Sequence, residues 1–166
     1  MSTSGSSAAR RSEVVADGLA AGAVAAVLSG APSTVHALVT GRDPLEATRA
    51  AGTLLLPREE RSPALLLAAA PVHVALSLGW GVALAAVLPR RQTVAAGVLG
   101  GLAIAALDLG VIGRHVPRLR ALPLWPQVAD HLAYGATVGA VVARGRAAVS
   151  RSSRAAGPRR PRTPCR

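Results

Sequence analysis

Four long, mostly apolar runs follow one another along the chain, and short polar segments separate them. An α-helix of about 20 residues crosses the hydrocarbon layer of a bilayer, and each run reaches that length. The runs cover residues 18–40, 63–88, 92–113 and 123–143. This pattern predicts an all-α integral membrane protein, a four-helix bundle whose transmembrane domain occupies residues 14–143.

The first run has the weakest insertion signal because it is rich in Ala and Gly, and Pro32 is expected to kink it. A cleaved signal peptide is the competing interpretation, with Arg10 and Arg11 as its basic start and residues 35–37 as a poor cleavage site. Two acidic residues just before the run are out of place in a signal peptide. We therefore expect a retained helix.

The polar segment between the first two spans, residues 41–62, contains a helix start. Asp43 can accept free backbone N–H groups, Pro44 suits the first helical position, and Glu46 completes a capping box. Uncharged residues then fall on one side of the helix, at positions 45, 48, 52, 55 and 56. The pattern predicts a short amphipathic helix along the membrane surface, and a loop helix packed on the bundle fits it equally well.

Charge lies mainly outside the spans and is strongly basic. The net charge is +11, and all 19 basic residues are arginine, which in a chain rich in Ala and Gly indicates a high-GC bacterial genome. Placing both termini in the cytoplasm puts twelve of the 19 arginines on that side, as the positive-inside rule favours. The sequence thus predicts a multi-pass protein of the inner (plasma) membrane with both termini cytoplasmic.

The two ends of the chain are small, polar and basic. Residues 1–13 and the Arg/Pro-rich tail, residues 144–166, cannot bury apolar surface, so both are predicted to be disordered. The tail is also expected to contact anionic lipid at the inner leaflet.

Glycine pairs spaced four residues apart occur within the spans. Gly97 and Gly101 lie in the third span, and Gly135 and Gly139 lie in the fourth. This spacing puts both glycines on one helix face, where two backbones can approach closely, and such packing drives helix association in lipid. We predict that these four glycines pack helices together.

Five ionisable residues within the spans are expected to form a buried polar cluster: His36, His73, Asp108, Asp130 and His131. Counting residues along helices of alternating direction places all five in the same half of the bilayer. Tyr134 is close enough along its helix to donate to Asp130. Lipid excludes charge, so these residues must face the bundle and pair, for example Asp108 with His73 or His131. The alternative is a proton- or cation-handling site, because His titrates near neutral pH.

The chain lacks the motifs of the common enzyme classes. It has no lysine for a phosphate-binding loop, and no G-x-S-x-G, H-E-x-x-H or C-x-x-C motif. No ionisable pair has a recognised metal spacing, and no aromatic residues interleave with the tail arginines. We therefore predict a protein that is not an enzyme, with no catalytic residue, metal, cofactor or nucleic-acid partner.

Two stretches carry a family resemblance. They are GAPSTVHALVTGRDPLEATRAAGTLLLP, residues 30–57, and ADHLAYGATVGAVVA, residues 129–143. Both resemble segments of uncharacterised small multi-pass membrane proteins of actinobacteria. The resemblance implies membrane location and topology, and it brings no activity with it.

Two functions are favoured by the sequence, and a third, an enzyme acting on lipid, is much less so. The first is a structural or accessory subunit that packs against a larger membrane protein. The second is a small proton- or cation-linked transporter or channel that uses the Asp/His cluster. The second would act as a homo-oligomer, because four short helices enclose little space.

Overall fold

The computed structural model describes residues 3–155, which form helices and turns without any strand. Its α-helices are α1 Thr3–Leu28, α2 Ala31–Val39, α3 Glu46–Gly52, α4 Ser62–Val87, α5 Thr93–Leu107, α6 Pro117–Arg120 and α7 Leu124–Ala155. A π-helical turn, Asp108–Ile112, and a 3₁₀ turn, Gly113–His115, extend α5. The prediction of an all-α chain is confirmed.

Three helical stretches are long and apolar enough to cross a membrane, and they are Ser7–Val39, Ser62–Val87 and Thr93–His115. They coincide with the first three predicted spans. The fourth predicted span lies in α7, which is not among these stretches because Gln127, Asp130 and His131 lower its mean hydropathy. The membrane character of the chain is therefore supported, and the fourth crossing stays a prediction.

The first apolar stretch is interrupted where the sequence places Pro32. A turn at Ser29 and Gly30 separates α1 from α2, and Pro32 lies in the first turn of α2. Proline is tolerated there because a first-turn N–H has no partner within the helix. Thr34 closes the turn through its hydroxyl, which donates to the Gly30 carbonyl over 2.8 Å. The expected kink is thus a break between two helices.

The helices pack as two close pairs. α1 packs along α4, α5 packs along α7, and α1 and α7 join the two pairs. Small and medium-sized side chains fill the centre between them: Ala21, Ala25, Leu84, Ala85, Leu88, Ile104, Tyr134, Val138 and Val142. Such small residues let the helix axes approach, and this is how helices gain contact in lipid.

Glycines lie at the closest points of the α5–α7 pair. A side chain added at Gly97 would overlap the carbonyl of Gly135, and one added at Gly135 would overlap the carbonyl of Gly97. Gly101 meets the carbonyl of His131, and Gly139 meets that of Thr93. The four glycines singled out from the sequence thus face each other across one helix pair.

A second glycine contact joins α1 to α4. Gly18 and Gly22 of α1 lie against the backbone of α4 at Val82 and Ser77, and Gly81 lies against Gly18. Gly81 was not singled out from the sequence, because it has no glycine partner four residues away.

Both ends of the helical region differ from the sequence prediction. Residues 3–13 belong to α1, and residues 144–155 continue α7, although both segments were predicted to be disordered. Extending an existing helix costs much less than starting one, so small residues next to a packed helix readily join it. Residues 1–2 and 156–166 lie outside the described residues.

The loop helix α3 starts later than predicted. It begins at Glu46, and the Asp43 carboxylate accepts the Leu45 N–H over 2.8 Å just ahead of it. Gly52 lies against the backbone of Leu65, so α3 packs on the start of α4. This packing agrees with a loop helix held on the bundle, and nothing in the structure tests its predicted place along the membrane surface.

Candidate functional site

The polar side chains of the helical core centre on α7. From residue 126 to residue 143 no position of α7 is exposed, although its residues are the least apolar of the long helices. The glycine contacts hold α7 against α5, so Asp130 and His131 lie beside the end of α5. At that end the α-helix gives way to the π-helical turn that begins at Asp108.

Asp108 and His131 form an ion pair between α5 and α7. The Nε2 atom of His131 lies 3.5 Å from Oδ2 of Asp108, and the two side chains are 20% and 19% exposed. The other ring nitrogen, Nδ1, lies 2.7 Å from the Gln127 carbonyl oxygen of the preceding turn. Both ring nitrogens of His131 are therefore in polar contacts.

These contacts orient the imidazole ring of His131. A carbonyl oxygen only accepts, so the contact with Gln127 requires a hydrogen on Nδ1 of His131. Nε2 then faces a carboxylate oxygen, and this contact is favourable when Nε2 also carries a hydrogen. Asp108 therefore favours a protonated His131.

The second carboxylate oxygen of Asp108 lacks a partner. Oδ1 is buried and makes no hydrogen bond within residues 3–155. Nearby, the N–H of Gly113 donates to the main-chain carbonyl of Asp108 and closes the π-helical turn. A buried acceptor without a donor costs free energy, and π-helical turns are frequent at functional sites. Asp108 and Trp80, through its Nε1, are therefore the two residues within residues 3–155 that bury a side-chain polar atom without a hydrogen-bond partner.

Asp130 points to a different helix. Its Oδ1 accepts the backbone N–H of Ser33 over 2.8 Å. Ser33 lies in the first turn of α2, where N–H groups have no partner within their own helix. Asp130 therefore ties α7 to the start of α2, and it makes no contact with Asp108.

The two remaining histidines lie apart from the Asp108–His131 pair. Nε2 of His73 is 2.8 Å from the carbonyl oxygen of Ala26, which joins α4 to α1, while the residue itself is exposed. His36 is half-buried and lines a cavity of about 20 Å³ together with Arg42 and Asp43. Of the five residues expected to cluster, two are in direct contact.

Two polar contacts of α7 were not anticipated. The Tyr134 hydroxyl donates to the Ser77 carbonyl of α4 rather than to Asp130. Arg146 donates to three carbonyls at the end of α4, those of Leu88, Pro89 and Ala85, at 3.1, 3.0 and 3.3 Å. A tyrosine inside a span and an arginine just after one are visible in the sequence, but their acceptors belong to another helix.

The loop end of the molecule carries its own ion pairs. Arg49 lies beside Asp43 and lowers the pKa of that carboxyl. The guanidinium and the backbone N–H of Arg61 both donate to the Glu59 carboxylate and lower its pKa to about 2. Beside Glu59 is an open cavity of about 280 Å³ that His115 and Arg118 also line. These charges hold the loops and lie apart from the Asp108–His131 pair.

Residues 3–155 contain no group of three or more His, Cys, Asp or Glu side chains that could hold a metal ion. The site therefore consists of the Asp108–His131 pair, with Asp130 next to it on α7. Comparison of the chain with models of known families, with curated proteins and with solved structures finds no match.

Proposed function

We propose that this chain is a multi-pass protein of the inner (plasma) membrane that serves as a structural or accessory subunit of a larger membrane complex. One observation carries the proposal: three polar side chains of the expected cluster are used to join helices, two of them part-buried and one, His73, exposed. His73 joins α4 to α1, Asp130 joins α7 to α2, and His131 joins α7 to α5. Side chains committed to such contacts hold an assembly together.

Close packing supports the same role. The α1–α4 and α5–α7 pairs meet through glycine backbones, and these contacts leave no room for a passage along either pair. The two cavities described above, one beside His36 and one beside Glu59, are open and lie at the loop end of the molecule. A single copy therefore suits a scaffold better than a channel.

The proposal takes α7 as a fourth membrane crossing, with both termini in the cytoplasm. Arg146 near the end of α7 binds the α4–α5 turn, so α7 runs alongside α5 in the opposite direction. A helix enclosed by its neighbours needs less apolar surface than one that faces lipid, and α7 has no exposed residue over positions 126–143.

Purification in a mild detergent tests the subunit role. We expect the tagged chain to retain one membrane protein at a fixed stoichiometry, and Gly81→Leu, which separates α1 from α4, to lose it. Gly79→Leu is the matched control, since nothing lies within 4 Å of that position. Recovery of the chain alone from gently solubilised membranes would contradict the proposal.

A proton- or cation-linked transporter is the second candidate, and the Asp108–His131 pair favours it. The pair places an imidazole beside a carboxylate, and Asp108 keeps a buried oxygen without a hydrogen-bond partner within residues 3–155 that could receive a proton or cation. In liposomes this function would give pH-driven flux that Asp108→Asn abolishes and Asp130→Asn, a matched change beside the pair, leaves largely intact. Absence of flux over a range of pH and cations would remove this candidate.

A further inference from the structure

Arginines from three separate segments meet at one end of the molecule. Gly18 of α1 lies against Val82 of α4, and a side chain at Gly145 of α7 would lie 3.7 Å from the Asp17 carboxylate of α1. These two contacts fix how far each segment extends beyond its neighbours. They allow the heights of the arginines to be compared along the helix axes.

The arginines lie at a common height. Arg10 is eight residues outward from Gly18, and Arg90 is eight residues outward from Val82. In the same way, Arg11 and Arg151 are each six residues outward from the contact between Asp17 and Gly145. At 1.5 Å per helical residue the steps to Arg11 and Arg151 are about 9 Å and the step to Arg10 is about 12 Å, while Arg90 lies in the turn that follows the end of α4 at Val87. We call the exposed set at this height the basic ring: Arg10, Arg11, Arg90, Arg91 and Arg151.

The ring arginines are not tied up in ion pairs. Within residues 3–155 none of them forms one, although Glu13 lies two residues from Arg11 on α1. The neighbouring Arg146 is different, because its guanidinium is used by the carbonyls at the end of α4. With Glu13 and Asp17 as the acidic residues beside it, the ring keeps an excess of positive charge.

Apolar surface lies directly beneath the basic ring. Val15 of α1 is 44% exposed and Val87 of α4 is 75% exposed, and both lie on the inner side of the ring. Exposed apolar side chains next to a level of unpaired arginines match the boundary between acyl chains and headgroups. At such a boundary each basic residue is attracted to anionic lipid.

We infer that the basic ring binds the anionic headgroups of the adjoining leaflet and sets the depth of the helices in the bilayer. Phospholipids with a negatively charged headgroup are the ligand class. The loop end differs, because two of its arginines, Arg49 and Arg61, form ion pairs with Asp43 and Glu59. The inference rests on the proposed membrane topology and is independent of the proposed role as a subunit.

Quenching of Trp80 fluorescence by brominated lipid measures how strongly the protein prefers anionic to zwitterionic phospholipid. The chain has two tryptophans, Trp80 and Trp125. The background substitution Trp125→Phe leaves Trp80 as the single tryptophan. It lies seven residues, about 10 Å, before the end of α4 at Val87, and it is partly buried against the helical core. The full-length protein is reconstituted in vesicles of phosphatidylcholine with brominated phosphatidylglycerol, or with brominated phosphatidylcholine, and the relative affinity is read from the quenching.

The ring variant replaces all five ring arginines by Gln. Its matched control replaces five exposed arginines at the loop end, none of which is ion-paired in the described part of the chain: Arg42, Arg58, Arg114, Arg118 and Arg120. A basic residue near an anionic surface contributes about fivefold in affinity. We expect the ring variant to lose tenfold or more of the preference for phosphatidylglycerol, and the control to keep it.

Salt and RNA give two further readouts. The preference of the natural protein should weaken as salt is added, because surface charges are screened over about 8 Å at physiological ionic strength. Equal loss in the ring variant and its control would overturn the inference. So would a natural protein that shows no lipid preference but binds a short single-stranded RNA. Cysteine labelling of the two sides of the membrane tests the topology separately.

Discussion

His131 and Asp108 show how a buried polar pair depends on its full set of partners. The imidazole donates to Gln127 through one nitrogen and lies 3.5 Å from an Asp108 oxygen through the other, while the second oxygen of Asp108 has no partner within residues 3–155. Removing one partner would leave the other alone in a weakly polar interior. Removing both partners would leave no unpaired group.

This asymmetry predicts the stability of three variants. His131→Ala should lower the free energy of unfolding in detergent by roughly 3 kcal/mol, because it strands Asp108. Asp108→Leu should behave similarly by stranding His131. The double variant Asp108→Leu/His131→Leu should be more stable than either single variant. Additive losses, measured by thermal or denaturant unfolding, would show that the two side chains do not interact.

Arg146 acts at the end of a neighbouring helix. Its guanidinium binds three carbonyls of α4, and a cation is favourable at that end of a helix. Arg146→Met, which keeps the apolar stem, should lower the unfolding free energy by about 1 kcal/mol. Arg144→Met, at an exposed position two residues earlier, should have little effect. Equal effects of the two changes would contradict this role.

Glu59 provides a pH dependence at the loop end. Folding lowers its pKa from 4.5 to about 2, because Arg61 and backbone N–H groups hold the carboxylate. The carboxylate form therefore stabilises the fold above pH 4.5, and this contribution is lost as the pH falls towards 2. A carbon-13 NMR titration should place the Glu59 midpoint near 2 and nearer 4.5 in Arg61→Gln. Arg58→Gln should leave it unchanged.

At the scale of elements, helix position follows from the apolar runs, while helix contacts do not. The second and third predicted spans match α4 and α5 with its extension within a few residues, because hydropathy is a local property. Gly97 and Gly135 also show a small-residue face in the sequence. Their pairing with each other, and that of Gly81 with Gly18, depends on which helices become neighbours.

Two glycines of α4 test the packing within a single helix. Gly81 lies against the backbone of Gly18 and Gly22, whereas nothing lies within 4 Å of Gly79. Gly81→Ala should push α1 and α4 apart and destabilise the protein. Gly79→Ala should be neutral or add up to about 1 kcal/mol through helix propensity. If melting in detergent ranks the two variants in the opposite order, the α1–α4 contact is not as described.

At the scale of the whole molecule, the position of α7 among its neighbours explains why hydropathy along the sequence is a poor guide to this helix. The helix combines three polar residues with a position between α1 and α5, so its mean hydropathy understates its fitness for a bilayer. The extra helical residues at both ends were missed for a related reason, since each extends a helix that is stabilised elsewhere. The polar cluster was only partly predicted. The height of each residue along its helix can be counted from the sequence, but the neighbouring helix that its side chain contacts cannot.

The crossing of α7 is the point on which the proposed topology depends, and cysteine labelling measures it directly. Cys165 is the only cysteine of the chain and follows α7, while Arg118 precedes it. A membrane-impermeant maleimide applied to intact cells or spheroplasts should label Arg118→Cys in a Cys165→Ser background, and should reach Cys165 only after the membrane is opened. Labelling of both positions from the same side would show that α7 does not cross the membrane.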